Sequence, residues 1–182
     1  MTDANWAGSD FQSRPRSPDG FALCGACRKL NRCRLGLGSE WLRPDGSVES
    51  RLICGRENEG GPDVAHGGWT ASIFDEVTGH VPMLHGVLAV TGRLDITYVK
   101  PVPVERELCS RAWPAEIGPT KWLVAGELRL ASTGALLGSA EAVMVLRDVS
   151  HFERHRRWLA EQDVLAGPES RPTDDRLTER RP

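Results

Sequence analysis

The stretch His66-Gly67-Gly68-Trp69-Thr70-Ala71-Ser72-Ile73-Phe74-Asp75-Glu76-Val77-Thr78-Gly79 decides the architecture. Trp69, Ile73 and Val77 recur at i, i+4 and i+8 with Phe74 beside them, so the segment predicts an amphipathic helix. Gly79 is placed to end it, and Pro82 follows at the expected distance. At 100° per residue, Gly68, Ala71, Ser72, Asp75 and Gly79 gather opposite the apolar stripe. All but Asp75 are very small, so that face reads as a groove carrying one carboxylate. The same spacing also suits an ordinary solvent-facing aspartate.

Outward from the helix the period changes to two. Val90, Gly92, Leu94, Ile96 and Tyr98 alternate with Thr91, Arg93, Asp95, Thr97 and Val99, which predicts a long strand with Thr91 opposite its more apolar face. Further strands are expected over 107–115, 122–130 and 136–146, joined at Gly118-Pro119 and Ser132-Thr133-Gly134. Upstream, 35–42 and 48–54 flank the turn Pro44-Asp45-Gly46-Ser47. A short polar helix is expected over 150–162. Two strands, one long helix and then four strands describe an α+β fold, in which the sheet must cover the apolar stripe of the helix with its own inner face.

The chain has 182 residues, a net charge of −2 and 40% hydrophobic residues. One domain over 21–165 is expected, between disordered polar tails at 1–20 and 166–182. The charge balance offers no global basic field for nucleic acid. No apolar run reaches the roughly 20 residues that span a bilayer, and residues 1–20 do not have the pattern of a signal peptide. A cytoplasmic protein is therefore expected, without membrane or nucleic-acid partners. Its five cysteines then read as thiols or metal ligands rather than structural disulfides.

His66-Gly67-Gly68 falls where the helix begins. The first N–H groups of a helix have no internal partner and sit at the positive end of its dipole, so they can hold a developing oxyanion. The alternative is a flexible entry loop with a capping histidine. Asp75 lies eight residues after Gly67, roughly 12 Å by helix rise. A reactant held by both must lie along the groove, and completion by a second subunit would ease that reach.

Together these residues resemble the PaaI-like branch of the hotdog-fold thioesterases over about residues 52–147. The loop Glu59-Gly60-Gly61-Pro62 leading into Val64-Ala65-His66-Gly67-Gly68 is similar to that family's entry motif. Ile73-Phe74-Asp75-Glu76 with Gly79 is similar to its helix. Ala89-Val90-Thr91-Gly92 and Ile96-Thr97-Tyr98-Val99-Lys100-Pro101 are similar to its following strand. The resemblance implies a hotdog fold, an antiparallel sheet wrapped around one long central helix, in a homodimer or dimer of dimers with sites at the subunit interface.

It further implies an acyl-CoA thioesterase with Asp75 as general base or nucleophile and the Gly67 N–H as oxyanion donor. His66 would set the loop or contact the thioester, and Thr91 would come from the strand that helps close the site. Asn58, Gly68, Trp69 and Lys100 are the implied substrate contacts, with Arg93 and Arg147 further candidates for the CoA phosphates. Trp69 is bulkier than the aliphatic residue usual after the two glycines. Glu76 points about 100° from Asp75 and is given no role. No cofactor is required. A non-catalytic acyl-CoA or lipid-binding protein is the alternative.

Cys24, Cys27 and Cys33 fall within ten residues among Arg28, Lys29, Arg32 and Arg34. They suggest a structural zinc cluster, a fourth ligand being missing locally, or a capping segment of small buried cysteines without metal. A zinc-linked regulatory protein is the third functional alternative. His151 and His155, at i and i+4, read as part of a solvated surface helix, and Cys109 as a strand residue.

Overall fold

The computed structural model describes Cys24, Cys27, Leu30 and residues 32–166. The N-terminal tail expected over 1–20, and the C-terminal tail beyond Ala166, lie outside the described residues. Strands β1 (Leu37–Leu42) and β2 (Val48–Ile53) are followed by a 3-10 turn (Arg56–Asn58) and the short strands β3 (Glu59–Gly61) and β4 (Val64–Ala65). Helix α1 (Gly67–Leu84) comes next, then β5 (Ala89–Tyr98), β6 (Glu107–Ile117), β7 (Lys121–Leu130), β8 (Leu136–Leu146) and α2 (Ser150–Ala166). The six long strands form one antiparallel sheet in the order β1-β2-β6-β7-β8-β5. The chain divides after Arg147, and α2 belongs to a compact unit of its own. Helix α2 is exposed along most of its length, and in it His155 stacks on Trp158.

Alternation decides which face of the sheet is covered. Val48, Leu52, Leu108, Ala112, Val124, Leu128, Ala142 and Met144 are all buried and share the inner face by their cross-strand register. On the outer face stand Arg51, Cys109, Arg111, Glu127 and Arg129, in register with one another. Helix α1 covers the inner face with Trp69, Ile73, Phe74, Val77 and Val81; the last four have no exposed surface. Burial of that kind stabilises by about 1.5–3 kcal/mol per side chain. Two glycines let the helix come close: a Cβ on Gly138 would stand 3.3 Å from the Phe74 ring, and one on Gly126 3.4 Å from the Thr78 methyl.

The helix does not stop at Gly79. It runs through Pro82 to Leu84, although an interior proline forfeits a backbone hydrogen bond and costs roughly 3 kcal/mol. The extra turn buries Val81 and Pro82 and seats His80 in a polar clamp. The stop is instead Gly86, at φ +79°, where Gly86 N–H donates to Met83 C=O and Val87 N–H to Pro82 C=O. That pair of bonds is a Schellman ending, which needs the left-handed residue that glycine supplies.

His80 is 6% exposed and is held from both sides. Its Nδ1 lies 2.8 Å from Glu40 of β1, whose side chain is 1% exposed, and its Nε2 lies 3.3 Å from Glu76 one turn earlier. Ser50 Oγ donates to the same Glu40 carboxylate at 3.0 Å. Burial would push the imidazole pKa down, but hydrogen bonds and charge from Glu40 and Glu76 outweigh it and raise it to about 10. The ring is therefore an imidazolium joining the edge strand to the helix.

Removing one member of a buried pair leaves an uncompensated charge, so Glu40→Ala should lower stability by about 3–5 kcal/mol in urea titrations. For a raised histidine the contribution is full below the unfolded value of 6.5 and declines as pH climbs toward about 10. The wild type should lose stability across that interval, and His80→Leu should show a flatter profile there.

Candidate functional site

The entry to α1 is built from a folded-back loop. The N–H of Asn58 donates to Gly55 C=O at 3.0 Å, and the Asn58 C=O receives the His66 N–H at 2.8 Å. Gly60 permits this closure, because a Cβ there would meet the His66 Cα at 2.7 Å. His66 is the N-cap, with Nδ1 accepting from the Gly68 N–H at 2.9 Å. With Nδ1 accepting, the ring hydrogen falls on Nε2. Gly68 has to be small, since a Cβ would stand 2.9 Å from that same Nδ1.

The His66 carbonyl takes the N–H groups of Trp69 and Thr70, at 3.0 and 3.2 Å. Among the described residues, nothing accepts from the Gly67 N–H. One donor at the positive end of the helix is thus unclaimed and exposed. The Gly67 carbonyl receives the Tyr98 hydroxyl at 3.0 Å.

Asp75 is exposed, two turns along on the side turned away from the sheet, with Gly67, Gly68 and Ser72 also exposed on the helix surface. Among the described residues, no hydrogen bond or ion pair engages its carboxylate. The apolar stripe of the helical wheel is buried, and the side bearing the small residues and the carboxylate is uncovered among the described residues. Within one chain, that side opens to solvent rather than into a cleft.

The other expected site residues divide. Asn58 adjoins His66, and its side-chain Nδ2 is buried with no partner among the described residues. Lys100, exposed, lines a cavity of about 310 Å³ together with Gly67, Thr70, Tyr98, Pro101 and Val102. Trp69 stands apart from the uncovered face: it is 5% exposed, packs in the core, and its indole N–H is buried with no acceptor among the described residues. Arg93 pairs with Asp95 at 2.7 Å. Arg147 is exposed and turns back on the Leu146 carbonyl.

Thr91 requires a correction. Simple alternation groups it with Arg93, Asp95 and Thr97, but the register shifts between Thr91 and Arg93. Thr91 pairs with buried Met144, while Leu94 and Ile96 pair with buried Ala142 and Ala140. The bulge centres on Gly92, where a Cβ would collide with Val145 at 2.7 Å. By register Thr91 therefore shares the inner side of the strand with Leu94 and Ile96, although it stays exposed near the strand end, and its hydroxyl points to the Met144 sulfur at 3.9 Å.

Cys27 and Cys33 are buried in the core cluster and Cys24 is half-buried. Cys27 Sγ accepts from the Arg34 N–H at 3.3 Å, and burial pushes the Cys33 thiol up. Cys54, fully buried, is pushed up to about 11. Among the described residues, no three His, Cys, Asp or Glu side chains come together as a metal-holding group. No described helix is long and apolar enough to cross a membrane.

Two features escaped the sequence reading. The Glu40–His80–Glu76 clamp had a partial signal in the i, i+4 spacing of Glu76 and His80. Tyr98, the one tyrosine of the chain, had none beyond its place at the end of a strand.

Residues 63–136 match the thioesterase superfamily. Over 73 residues the chain is 40% identical to the acyl-coenzyme A thioesterase THEM4 of Mus musculus, a match covering 38% of this chain and 31% of that protein. The chain therefore spans less than a third of the length of this curated relative. A Streptococcus mutans protein solved with acetyl CoA superposes with a TM-score of 0.58 at 20% identity, covering 64% of this chain and 93% of that one. The PaaI protein of the E. coli phenylacetic acid degradation operon gives 0.58 at 17% identity, covering 67% and 84%. At those identities the two structures establish the hotdog fold alone.

Gly68→Ala should expel the His66 ring from its capping position. A lost N-cap is worth about 0.5–2 kcal/mol, measurable as a lower thermal midpoint. Gly61→Ala, where a Cβ meets nothing within 4 Å, should leave the midpoint nearly unchanged.

Proposed function

We infer that this chain, whose residues 63–136 match the thioesterase superfamily, hydrolyses an acyl-CoA thioester to the free acid and CoA. The observation that carries the reading is the pairing of one unclaimed backbone donor, the Gly67 N–H, with one unengaged carboxylate, Asp75, on the uncovered side of the same helix.

In the general-base form, Asp75 takes a proton from water as the water oxygen bonds to the thioester carbonyl carbon. The carbonyl π electrons move onto oxygen, and that oxyanion accepts a hydrogen bond donated by the Gly67 N–H. Collapse of the tetrahedral adduct re-forms the carbonyl and breaks the carbon–sulfur bond; the proton held by Asp75 passes to the departing sulfur. A nucleophilic Asp75 would reach the same products through an anhydride that water then opens. A thioester is activated enough that neither route needs a serine, a cysteine or a cofactor. Asn58, His66 and Gly68 shape the mouth beside the donor. Thr91 supports the strand that closes the site, and Lys100 offers its ammonium to CoA phosphate from the cavity rim. We take the setting to be cytoplasmic, where acyl-CoA is available and thiols stay reduced.

A second copy belongs to this reading. Gly67 and Asp75 of one chain are roughly 12 Å apart along the helix, too far to act on one carbonyl. Among the described residues, strand β5 is the terminal strand of the sheet, ten residues long, with a free edge. Such an edge is a template for pairing. Two chains joined along β5 bring two copies of α1 together, so that the Gly67 of one can face the Asp75 of the other. A homodimer, or a dimer of such dimers, is the proposed assembly.

The test is a thiol-release assay over a panel of acyl-CoAs. Asp75→Asn should lower kcat by about 10²–10⁴-fold with an unchanged thermal midpoint, and sedimentation should give at least a dimer. Tight binding of an acyl-CoA without turnover would mark a non-catalytic binding protein and end the enzyme reading.

A further inference from the structure

We propose that Tyr98 is a positioning residue for the reaction, clamping the Gly67–Gly68 peptide so that the oxyanion donor beside it is held in place. Two consecutive glycines are the most freely rotating pair a chain can place at a site, and here they open the helix whose first N–H has to be aimed.

The peptide between them is a rigid plane carrying the Gly67 C=O at one end and the Gly68 N–H at the other. Both ends are tied. The Tyr98 hydroxyl donates to the oxygen at 3.0 Å, and His66 Nδ1 accepts from the nitrogen at 2.9 Å. A plane held at both ends cannot turn, and the adjoining His66–Gly67 plane, which carries the Gly67 N–H, is held through the His66 carbonyl by the Trp69 and Thr70 N–H groups, so both planes that meet at Gly67 are pinned. The two bonds also run in one direction, hydroxyl to carbonyl and amide to imidazole, so each polarises the other. The chain of donors ends on His66 Nδ1, which leaves that ring its hydrogen on Nε2.

Core packing does not explain the placement of Tyr98. The residue is 55% exposed. It pairs with Gly138 at the end of β5, and its ring atoms stand 3.8–3.9 Å from where a Gly67 Cβ would be. The hydroxyl thus reaches the donor peptide from a different element, and the strand that bears the free edge sets the geometry of the helix entry.

The kinetic half of this proposal rests on the thioesterase reading; the clamp itself does not. Tyr98→Phe removes the hydroxyl and keeps the ring. With an acyl-CoA that the wild type turns over, kcat should fall about threefold to tenfold, the size of one neutral hydrogen bond. KM should change less than about twofold and the thermal midpoint should hold, because the lost contact is exposed. Amide exchange at Gly68, followed by NMR in the full chain, should accelerate, and the His66 ring should lose its single tautomer. An unaltered kcat, a kcat that falls only in step with the thermal midpoint, or unchanged Gly68 exchange would each overturn the proposal. If the wild type hydrolyses no acyl-CoA, the thioesterase reading fails on its own, and Gly68 exchange with the His66 tautomer still decides whether the clamp exists.

Discussion

The contact on which everything else depends is the seat of α1 on a floor of glycine. Phe74 lies over Gly138 and the Thr78 methyl over Gly126, at distances that a methyl group on either strand residue would crowd. Close packing of this kind is directional: rotating the helix by one residue would lift Phe74, Ile73 and Val77 from sites where they have no exposed surface. The orientation of Asp75 follows from that cost. It faces away from the sheet because the opposite side of the helix is committed to the core, so the position of a chemical group is fixed by packing that never touches it.

The two ends of the helix are held by different physics. Toward the C-terminus a buried imidazolium between Glu40 and Glu76 ties α1 to the edge strand β1. Interactions of that kind gain their strength from low dielectric and tolerate no missing partner. Toward the N-terminus the ties are neutral hydrogen bonds at the surface: the His66 cap, the Asn58 carbonyl and the Tyr98 hydroxyl. The candidate chemistry lies at the weaker end. That arrangement leaves the first turn with an unclaimed donor, whereas a fully satisfied helix start would have no hydrogen bond to offer.

Periodicity made most of this legible in the sequence. The 3.6-residue recurrence of Trp69, Ile73 and Val77 and the alternation in the later strands identify the helix, the sheet and the face that each buries. The motifs around His66, Asp75 and Lys100 carry the family resemblance. What local rules missed was decided elsewhere in the chain. Pro82 sits inside a helix because Val81 and His80 gain more from the core than the proline forfeits. Thr91 sits on the inner face because the bulge at Gly92 adds one residue, and every side assignment on one flank of it reverses. Glu40 and His80 are forty residues apart, and a buried pair at that separation leaves no periodic trace. Tyr98 reads as one more residue of a strand, since its hydrogen bond runs to another element's backbone.

One consequence of the topology joins the free edge to the uncovered face. Strand β5 ends the sheet, and the start of α1 is tied to the end of β5 through Tyr98 and Gly67. Unpaired backbone groups along a ten-residue edge and a helix side bearing an unengaged carboxylate therefore belong to one region of the domain. A partner strand added along β5 would carry its own helix beside this one, so a single association would satisfy the edge and cover the groove together. The same event would supply the second donor-and-carboxylate pair that the roughly 12 Å spacing within one helix requires. In the proposed reaction, assembly and chemistry would then share one cause. A change that keeps β5 from pairing would act on both at once, even where every residue of the groove is intact.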